Sequence, residues 1–504
     1  MARIVIIGAG VGGLGTALCA ARSGHQVTIV ERDDTPLPAD PHGAFEWDRR
    51  GAPQVRHSHA FLARLRNQLR DRHPDVLAEL LAAGATEMRF TEMAPEGMVI
   101  APEPGDEDLV GLACRRTTFE WVLRRAALAE GRVELVHGTS VRALTCSPEH
   151  VDGTPVVTGV ELDDGTILDA DVVVASGGRR SDVPALLAEH GIHVEETEED
   201  TGIIYLSRFF RLVDGAELPQ TAGVIGGDLG YLKYGVFPGD NRTFSITFAV
   251  GTHDSEMRKL LLDPDTFLVA AGALTATAPY VDGRSEPITD VEVMGGLINR
   301  RRSFVDDDGA PVVLGFHAVG DAHTATNPLY GRGCSLAMVQ SQLLADLLDE
   351  HGADSSAAHV ARADDYEAAT SREITPWYRA SVAQDRFAKR AAEEAAEATA
   401  AELADGADEG PTGLATPDEP ADDGTVDPSD FLRSLLRDGL FPAMRVDPVV
   451  LRAFLRMFNL LQPPDSLMND PEIIGRVMTV FQDKDNRPPE PELGPDRAGF
   501  LASI

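Results

Sequence analysis

The chain has 504 residues, 43% of them hydrophobic and 25% charged, with a formal net charge of −36 and four cysteines. A chain of this length buries a sizeable core without disulfide staples, and its charge makes nucleic acid and anionic membranes poor partners. Cys19, Cys114, Cys146 and Cys334 form no CxxC pair, which excludes a disulfide scaffold and a cysteine-built zinc or iron–sulfur site.

Such cysteine usage fits a reducing cytoplasm, the expected location. No apolar stretch reaches the length of a membrane span. The apolar start MARIVIIGAG runs on into glycines and a helix, so it reads as part of a fold and not as a signal peptide. At about 150 residues per domain, the length suggests roughly three units, or one large two-lobed enzyme.

In chain order, residues 2–7 (ARIVII) form an apolar run that ends at glycine, the pattern of a buried parallel strand. Residues 14–23 are small and helical, Gly24 stops them, and 27–30 (VTIV) are a second buried strand. Residues 59–82 carry helical periodicity broken at Pro74, and 117–130 are an amphipathic helix. Short strands follow to about residue 176. Residues 201–250 alternate apolar and polar with turn signals at Gly230 and Pro238–Gly239, which predicts several antiparallel strands. There Tyr205, Phe209, Tyr231, Tyr234, Phe237 and Phe248 are available to line an apolar cavity, with two or three of the six facing it. Residues 312–321 predict another buried strand and 334–350 a long helix. Residues 391–432 hold thirteen acidic residues and no Lys or Arg, which predicts a frayed helix followed by a disordered loop. Helices are expected at 429–462 and 470–482, with Phe441, Leu451, Phe454, Leu455, Phe458 and Leu461 as an apolar face.

Two segments carry chemistry. Gly8-Ala9-Gly10-Val11-Gly12-Gly13 sits between a strand and a helix. There Gly8 allows a tight turn, Gly10 lets the backbone approach a pyrophosphate at the helix N-terminus, and Gly13 allows close helix–strand packing. Glu31 follows Gly13 by 18 positions, where a carboxylate accepts hydrogen bonds from ribose hydroxyls. The second segment closes a strand with Gly320-Asp321 and continues as Asn327-Pro328-Leu329-Tyr330-Gly331-Arg332-Gly333 before a helix. An aspartate there can bind a ribityl hydroxyl, and glycines opening a helix can present backbone N–H groups to an electron-rich ring.

The pair resembles the two FAD-binding segments of the group A flavoprotein monooxygenase superfamily, which has the hydroxybenzoate-hydroxylase fold. Arg116-Thr117-Thr118-Phe119 resembles the start of that family's flavin-contacting helix. The resemblance implies cofactor contacts from Gly8, Gly10, Gly12, Gly13, Glu31, Arg32, Arg116, Gly178, Asp321, Pro328, Gly331 and Gly333. It implies an α/β fold: a Rossmann-like FAD-binding domain (1–190 plus 291–352), an inserted antiparallel β-sheet substrate domain (191–290) and a helical C-terminal region (353–504) containing an acidic disordered loop at about 391–430. Gly51-Ala52-Pro53-Gln54-Val55-Arg56-His57-Ser58-His59-Ala60-Phe61-Leu62 is similar to a segment of actinobacterial FAD oxidoreductases that include the monensin-type polyether epoxidases. Asn299-Arg300-Arg301 and the NPLYGRG segment also fit that group. Arg56 and His59 are the candidate catalytic residues, as flavin-positioning groups; the alternative is a structural loop with a helix turn at 58–62.

The implied function is that of an FAD-dependent oxidoreductase, foremost a monooxygenase. Reduced flavin would trap O2 as a C4a-hydroperoxide and pass one oxygen atom to a small or medium apolar substrate, as hydroxylation or epoxidation. The alternatives are an FAD-dependent dehydrogenase or ene-reductase of the geranylgeranyl-reductase-like type, and a non-catalytic flavin-binding redox protein. One position departs from the family. Where many hydroxylases carry an Asp-Gly pair used for FAD and NAD(P)H, this chain has Gly177-Gly178-Arg179-Arg180-Ser181. NAD(P)H is then a weakly bound electron source, or a separate flavin reductase is the partner that supplies electrons. No GxSxG nucleophile elbow and no WxWxIP segment of flavin halogenases occurs. His57 and His59 are not read as a zinc pair, and no metal site is expected. His317 and His323 read as structural.

Overall fold

The computed structural model describes residues 1–95, 97–219, 226–353, 355–405 and 428–504. Strand β1 (Arg3–Ile7), helix α1 (Val11–Arg22) and strand β2 (Gln26–Glu31) open the chain. Ile4, Val5 and Ile6 are all buried because helices and loops cover both faces of β1, and this is why the segment is an unbroken apolar run. Each such side chain contributes roughly 1.5–3 kcal/mol by leaving water. Helix α1 is built from small residues so that another helix can approach it. A Cβ on Gly15 would stand 2.6 Å from Met338 Sδ.

Helix α2 (Arg116–Ala129) leads to strands β3 (Val133–His137) and β4 (Val172–Ala175). Strands β5 (Ile203–Leu212), β6 (Leu232–Pro238) and β7 (Thr243–Gly251) follow. After them come β8 (Ile298–Ser303), β9 (Phe316–Ala318), helix α3 (Gly333–His351) and helix α4 (Thr375–Asp405).

Strands β9-β4-β1-β2-β3 form one parallel sheet in that order. The glycine turn after β1, Glu31 at the end of β2, Ser176–Gly178 after β4 and Gly320–Asp321 after β9 therefore share one edge, the carboxyl ends of the strands. That edge is where open α/β sheets bind ligands.

The second sheet contains β6-β7-β5 in antiparallel register, with Ser207 opposite Thr247 and Phe209 opposite Ser245. Alternation sends Leu206, Phe210, Phe244, Ile246 and Phe248 into a core that also holds Phe267 and Phe500. The chain's C-terminal end belongs to that core: Tyr234 Oη donates to Leu493 O at 2.6 Å, and Phe500 lies on the helix Arg497–Ser503.

Some expected elements differ. The strand expected over 312–321 is limited to Phe316–Ala318. Leu314 N donates instead to Pro155 O and Val312 N to Phe304 O, and Gly320 turns the chain with φ +64°. The helix turn expected at 58–62 is absent: helix begins at Ala63 (Ala63–Arg72) and resumes after Pro74 as Pro74–Ala82. The expected helix at 429–462 is broken into Pro428–Leu435, a five-residue π turn, Phe441–Val446 and Pro448–Phe458, because Pro448 halts the ladder. Its apolar face is buried at Leu451 and Leu455, whereas Phe441 is 52% exposed. The acidic segment is helical to Asp405; the loop expected beyond it, over 406–427, lies outside the described residues. Among the described residues no helix is long and apolar enough to cross a membrane.

Candidate functional site

The glycine turn is built around three separate steric demands. Gly8 has φ +102°, and a Cβ there would lie 2.8 Å from Ser176 O. A Cβ on Gly13 would stand 1.9 Å from Gly8 O, so only glycine lets α1 begin so close to β1. A Cβ on Gly12 would lie 3.1 Å from Ser176 Oγ. Gly10 differs: a Cβ there meets nothing within 4 Å. The open side of the turn is thus at Gly10, in front of the first N–H groups of α1, where the helix dipole favours an anion.

Glu31 is buried beside this turn. Its Oε2 accepts from Ala9 N at 2.8 Å and its Oε1 from Asp33 N at 3.0 Å. Each oxygen keeps a second acceptor site for a hydroxyl. Arg32, the next residue, is exposed. Arg49 was not singled out by sequence. Its Nη2 donates to Ala9 O at 2.9 Å and lies 3.8 Å from Glu31 Oε2, and its guanidinium lies 4.8 Å from the centroid of Trp47. Its Nε lies 3.3 Å from Glu120 Oε2, and neither Nε nor Nη1 has a hydrogen-bond partner among the described residues. Glu120, fully buried, accepts from Arg116 Nε at 2.6 Å. The i,i+4 spacing of Arg116 and Glu120 on a helix was the one signal that could have found this pair. Arg116 Nη1 donates in turn to Cys334 Sγ at 2.8 Å. Burial opposes the charge of Arg116, but Cys334, Glu120 and Asp321 outweigh it and hold its pKa above the ordinary value.

Glu31, Arg49, Glu120 and Arg116 therefore form one ladder along the carboxyl edge of the sheet. Arg124, 5.4 Å from the Trp47 centroid, adds a third guanidinium, with Asp33 as a further carboxylate near it. Buried guanidinium groups, orphaned N–H groups on Arg49 and open space at Gly10 fit a pyrophosphate, and Glu31 fits a ribose. The residues present thus suit a dinucleotide of the FAD type.

The second segment meets the same edge. Gly320 N donates to Gln340 Oε1 at 2.7 Å, which fixes the turn that carries Asp321. Burial raises the Asp321 carboxyl, opposed by Arg179, Arg116 and Arg300. A Cβ on Gly333 would lie 4.0 Å from Asp321 Oδ1, and Gly333 and Pro328 are exposed. Gly331 has φ +66°, and a Cβ there would stand 2.9 Å from Ala60 Cβ. So the Pro328–Gly333 loop meets the segment containing His57, His59 and Ala60. Gly178, with φ +69° and open space at its Cβ position, follows β4.

The 57–60 segment bridges the two sheets. His57 Nδ1 lies 3.1 Å from Ser207 Oγ. Ser58 Oγ lies 2.7 Å from Ser245 Oγ and 2.5 Å from Thr247 Oγ1, and Ser207 and Thr247 hydroxyls are 2.7 Å apart. His59 points the other way: its Nδ1 donates to His57 O at 3.0 Å. Since a carbonyl only accepts, the neutral ring carries its proton on Nδ1. Burial, helped by Arg116, pushes the His59 pKa down to about 3, and burial with Arg179 pushes His57 to about 4, so both rings are neutral at pH 7. Arg56 is not brought into the cluster. Its side chain is 58% exposed and pairs with Glu292 at 3.3 Å and Asp48 at 3.8 Å.

The face of the antiparallel sheet turned to this segment carries Ser207, Ser245 and Thr247, and by alternation Tyr205, Phe209 and Phe237 share that face. Tyr234 and Phe248 belong to the opposite core, and Tyr231 packs against it. Among the described residues no group of His, Cys, Asp or Glu could hold a metal ion. His317 and His323 sit behind the Gly320 turn, against Tyr366 at ring separations of 5.1 and 6.2 Å.

Residues 3–44, which hold the glycine turn and Glu31, match the family described as FAD dependent oxidoreductase. No curated protein matches the chain in sequence. The fold is similar to that of PqsL, a probable FAD-dependent monooxygenase from Pseudomonas aeruginosa, at 18% identity and a TM-score of 0.55, over 78% of this chain and 96% of that one. A structure of PqsL in complex with 2-aminobenzoylacetate matches at 20% identity and a TM-score of 0.55, over 78% and 98% of the two chains. The myxobacterial chondrochloren halogenase CndH, an FAD-dependent halogenase, matches at 18% identity and a TM-score of 0.55, over 80% and 90%. The mixed α/β architecture is that of FAD-binding monooxygenases.

Proposed function

We propose that the protein is an FAD-dependent monooxygenase that hydroxylates or epoxidises a small or medium apolar organic molecule, with residues 191–290 as its substrate domain. The observation that carries this reading is the ladder Glu31–Arg49–Glu120–Arg116, set beside open space at Gly10 and ending at the loop of Asp321 and Gly333. The arrangement suits a dinucleotide, and the match of residues 3–44 supports FAD as its occupant.

In this reading Glu31 holds the adenosine ribose, and Gly8, Gly10, Gly12 and Gly13 with Arg49 hold the pyrophosphate. Arg116 lies along the cofactor chain and Asp321 binds the ribityl group. Pro328, Gly331 and Gly333 line the ring, with the first N–H groups of α3 turned to its electron-rich edge. When bound, FAD supplies the transfer of an electron pair and the activation of O2: substrate, O2, NAD(P)H and a proton give oxygenated substrate, water and NAD(P)+. The chain contributes position and exclusion of water. His59, neutral and near Arg116, adds no second charge there. His57 and Ser58 tie the cofactor unit to the sheet, so substrate and ring are held in one frame. Tyr205, Phe209 and Phe237 supply apolar walls, and Ser207 and Thr247 supply polar orientation.

Oxygenation is favoured over halogenation by the absence of the halogenase tryptophan segment. Here Trp47 stacks against arginines, Trp121 donates to Pro38 O at 2.8 Å, and Trp377 covers Arg332. The resemblance of residues 51–62 and 327–333 to the monensin-type epoxidases supports an alkene as substrate. The purified protein is expected to be yellow and to release unmodified FAD on heating. Failure to bind added FAD overturns the reading. O2 uptake coupled to substrate separates a monooxygenase from a dehydrogenase or ene-reductase.

A further inference from the structure

The shape of the loop Asn327–Gly333 decides where its glycines point, and its own hydrogen bonds are the short turn contacts of Leu329, Tyr330 and Gly331. Its anchor comes from far along the chain. Asp385, on α4, is 5% exposed and accepts three hydrogen bonds. Asn327 Nδ2 donates to its Oδ1 at 2.8 Å, Tyr330 Oη to the same oxygen at 3.0 Å, and Asn299 Nδ2 to its Oδ2 at 2.6 Å. The two asparagines are locked together as well. Asn327 N donates to Asn299 Oδ1 at 2.8 Å, and Ser381, one helical turn before Asp385, donates to the same oxygen at 2.7 Å. Asn327 Oδ1 accepts from Leu329 N at 3.0 Å, which shapes the turn, and from Tyr205 Oη at 3.1 Å, which ties it to the antiparallel sheet. A second grip lies further along the loop. The Arg332 guanidinium is held between the rings of Tyr330 (4.6 Å) and Trp377 (4.9 Å), the latter also on α4.

A buried carboxylate costs desolvation and is retained only where its partners need it. Asp385 stabilises no ion pair with these partners; all three are neutral donors, two of them in the loop. We propose that Asp385 is a positioning residue for the cofactor: helix α4, from the C-terminal region, sets the conformation of Asn327–Gly333 through this carboxylate, so that the loop's backbone is aimed at the flavin ring. The inference rests on the FAD reading above. It makes the ring end of the site dependent on a helix outside the dinucleotide-binding unit, while the Glu31 end is independent of it.

Asp385→Asn tests this. The substitution keeps size but turns one acceptor into a donor, facing donors, so either the two loop donors lose their partner or Asn299, which itself holds Asn327 N, loses its own. Apoprotein is titrated with FAD and, separately, with ADP, which reports the Glu31 end alone; the visible absorption of bound flavin and the far-UV thermal transition of the apoprotein are recorded. The expected result is FAD affinity weakened about tenfold, a displaced flavin visible band, and ADP affinity unchanged. Tyr330→Phe, which removes one donor and leaves the carboxylate, is expected to displace the band in the same direction by less, and it decides the matter if Asp385→Asn fails to fold. Unchanged FAD affinity and an unchanged band in both folded variants overturn the inference alone. ADP and FAD affinity falling together also overturn it, as general damage. A wild-type protein that binds ADP but no FAD overturns the flavin assignment itself and this inference with it.

Discussion

His57 Nδ1 and Ser207 Oγ stand 3.1 Å apart across 150 residues of chain, and this contact joins the segment beside the glycine cradle to the antiparallel sheet. The bond is made by a neutral ring. His57 and His59 titrate at about 4 and about 3, below the ordinary histidine value of 6.5, chiefly because they are buried. The unfolded chain therefore binds more protons than the folded one between pH 6.5 and 4. Stability from these rings is fully present above pH 6.5 and is lost as pH falls toward 4. A thermal-unfolding series from pH 7.5 to 5 is expected to show a falling midpoint, with about 2 kcal/mol lost at pH 5 through His57 alone. His57→Asn, which retains a polar contact without titrating, is expected to lessen that slope by the His57 share, the other depressed histidines keeping theirs. An equal slope in the variant contradicts the assignment.

Glu31→Gln is expected to weaken FAD binding by roughly 1.5–3 kcal/mol, since charge-assisted hydrogen bonds to ribose are lost. Isothermal titration of apoprotein with FAD measures it. Wild-type affinity in the variant means that the first strand–helix–strand unit does not hold the ribose.

Gly13 and Gly10 separate fold from ligand. Gly13→Ala places a Cβ 1.9 Å from Gly8 O, so α1 must move off β1, and loss of soluble folded protein is expected. Gly10→Ala places a Cβ in open space, and Gly10 has φ −82° and ψ −172°, which alanine adopts freely. The Gly10→Ala apoprotein is expected to melt within about 0.5 kcal/mol of wild type yet to bind FAD at least about tenfold more weakly. A Gly10→Ala protein that binds FAD normally shows that the pyrophosphate lies elsewhere.

The local parts of this site are legible in sequence because a few neighbouring residues specify them. The strand–glycine–helix turn, Glu31 eighteen residues on, and Gly320-Asp321 at a strand end each rest on short-range geometry. What sequence does not reveal is partnership across distance. Arg49 resembles any surface arginine until Ala9 and Glu120 are seen beside it. Asp385 sits in a polar helix, and its partners Asn299 and Asn327 lie 86 and 58 residues away. Arg56, chosen by motif, points to Glu292, whereas its neighbour His57 makes the contact with the sheet. Which of two adjacent residues faces inward depends on the short 3-10 turn Pro53–Arg56, which periodicity does not forecast.

Removal of residues 406–427 and closure with a short Gly/Ser linker is expected to leave folding and flavin content unchanged. That stretch is acidic and low in large apolar residues, so it adds little to any core. The flanks are already tied: Arg433 Nη1 donates to Glu394 at 2.7 Å and its guanidinium lies 5.4 Å from the Phe387 ring. Deletion should stop short of 393–405, because helix α4 continues through them to Asp405. Flavin-to-protein absorbance ratio and thermal midpoint are the measurements. Loss of soluble protein shows that the segment packs as structure.

A prediction about the electron source rests on the turn after β4. An aspartate in the Gly177 position would help orient a nicotinamide in a hydroxylase of this fold, and here a Cβ at Gly177 would already stand 3.2 Å from Ser181 Oγ. The side chain that the turn does present is Arg179, which lies close enough to His57 to depress its pKa and close enough to Asp321 to oppose its rise. That cation attracts an anionic group but offers no carboxylate to a nicotinamide amide. Reduction of the bound flavin by NADPH alone is therefore expected to be slow. Addition of substrate or of a flavin reductase should raise the rate about tenfold or more, a barrier change of roughly 1.4 kcal/mol. Stopped-flow absorbance of the flavin band under anaerobic conditions measures this directly. Rapid bleaching by NADPH with neither present contradicts it, and would mean that the Gly177–Ser181 turn accepts a nicotinamide without the aspartate.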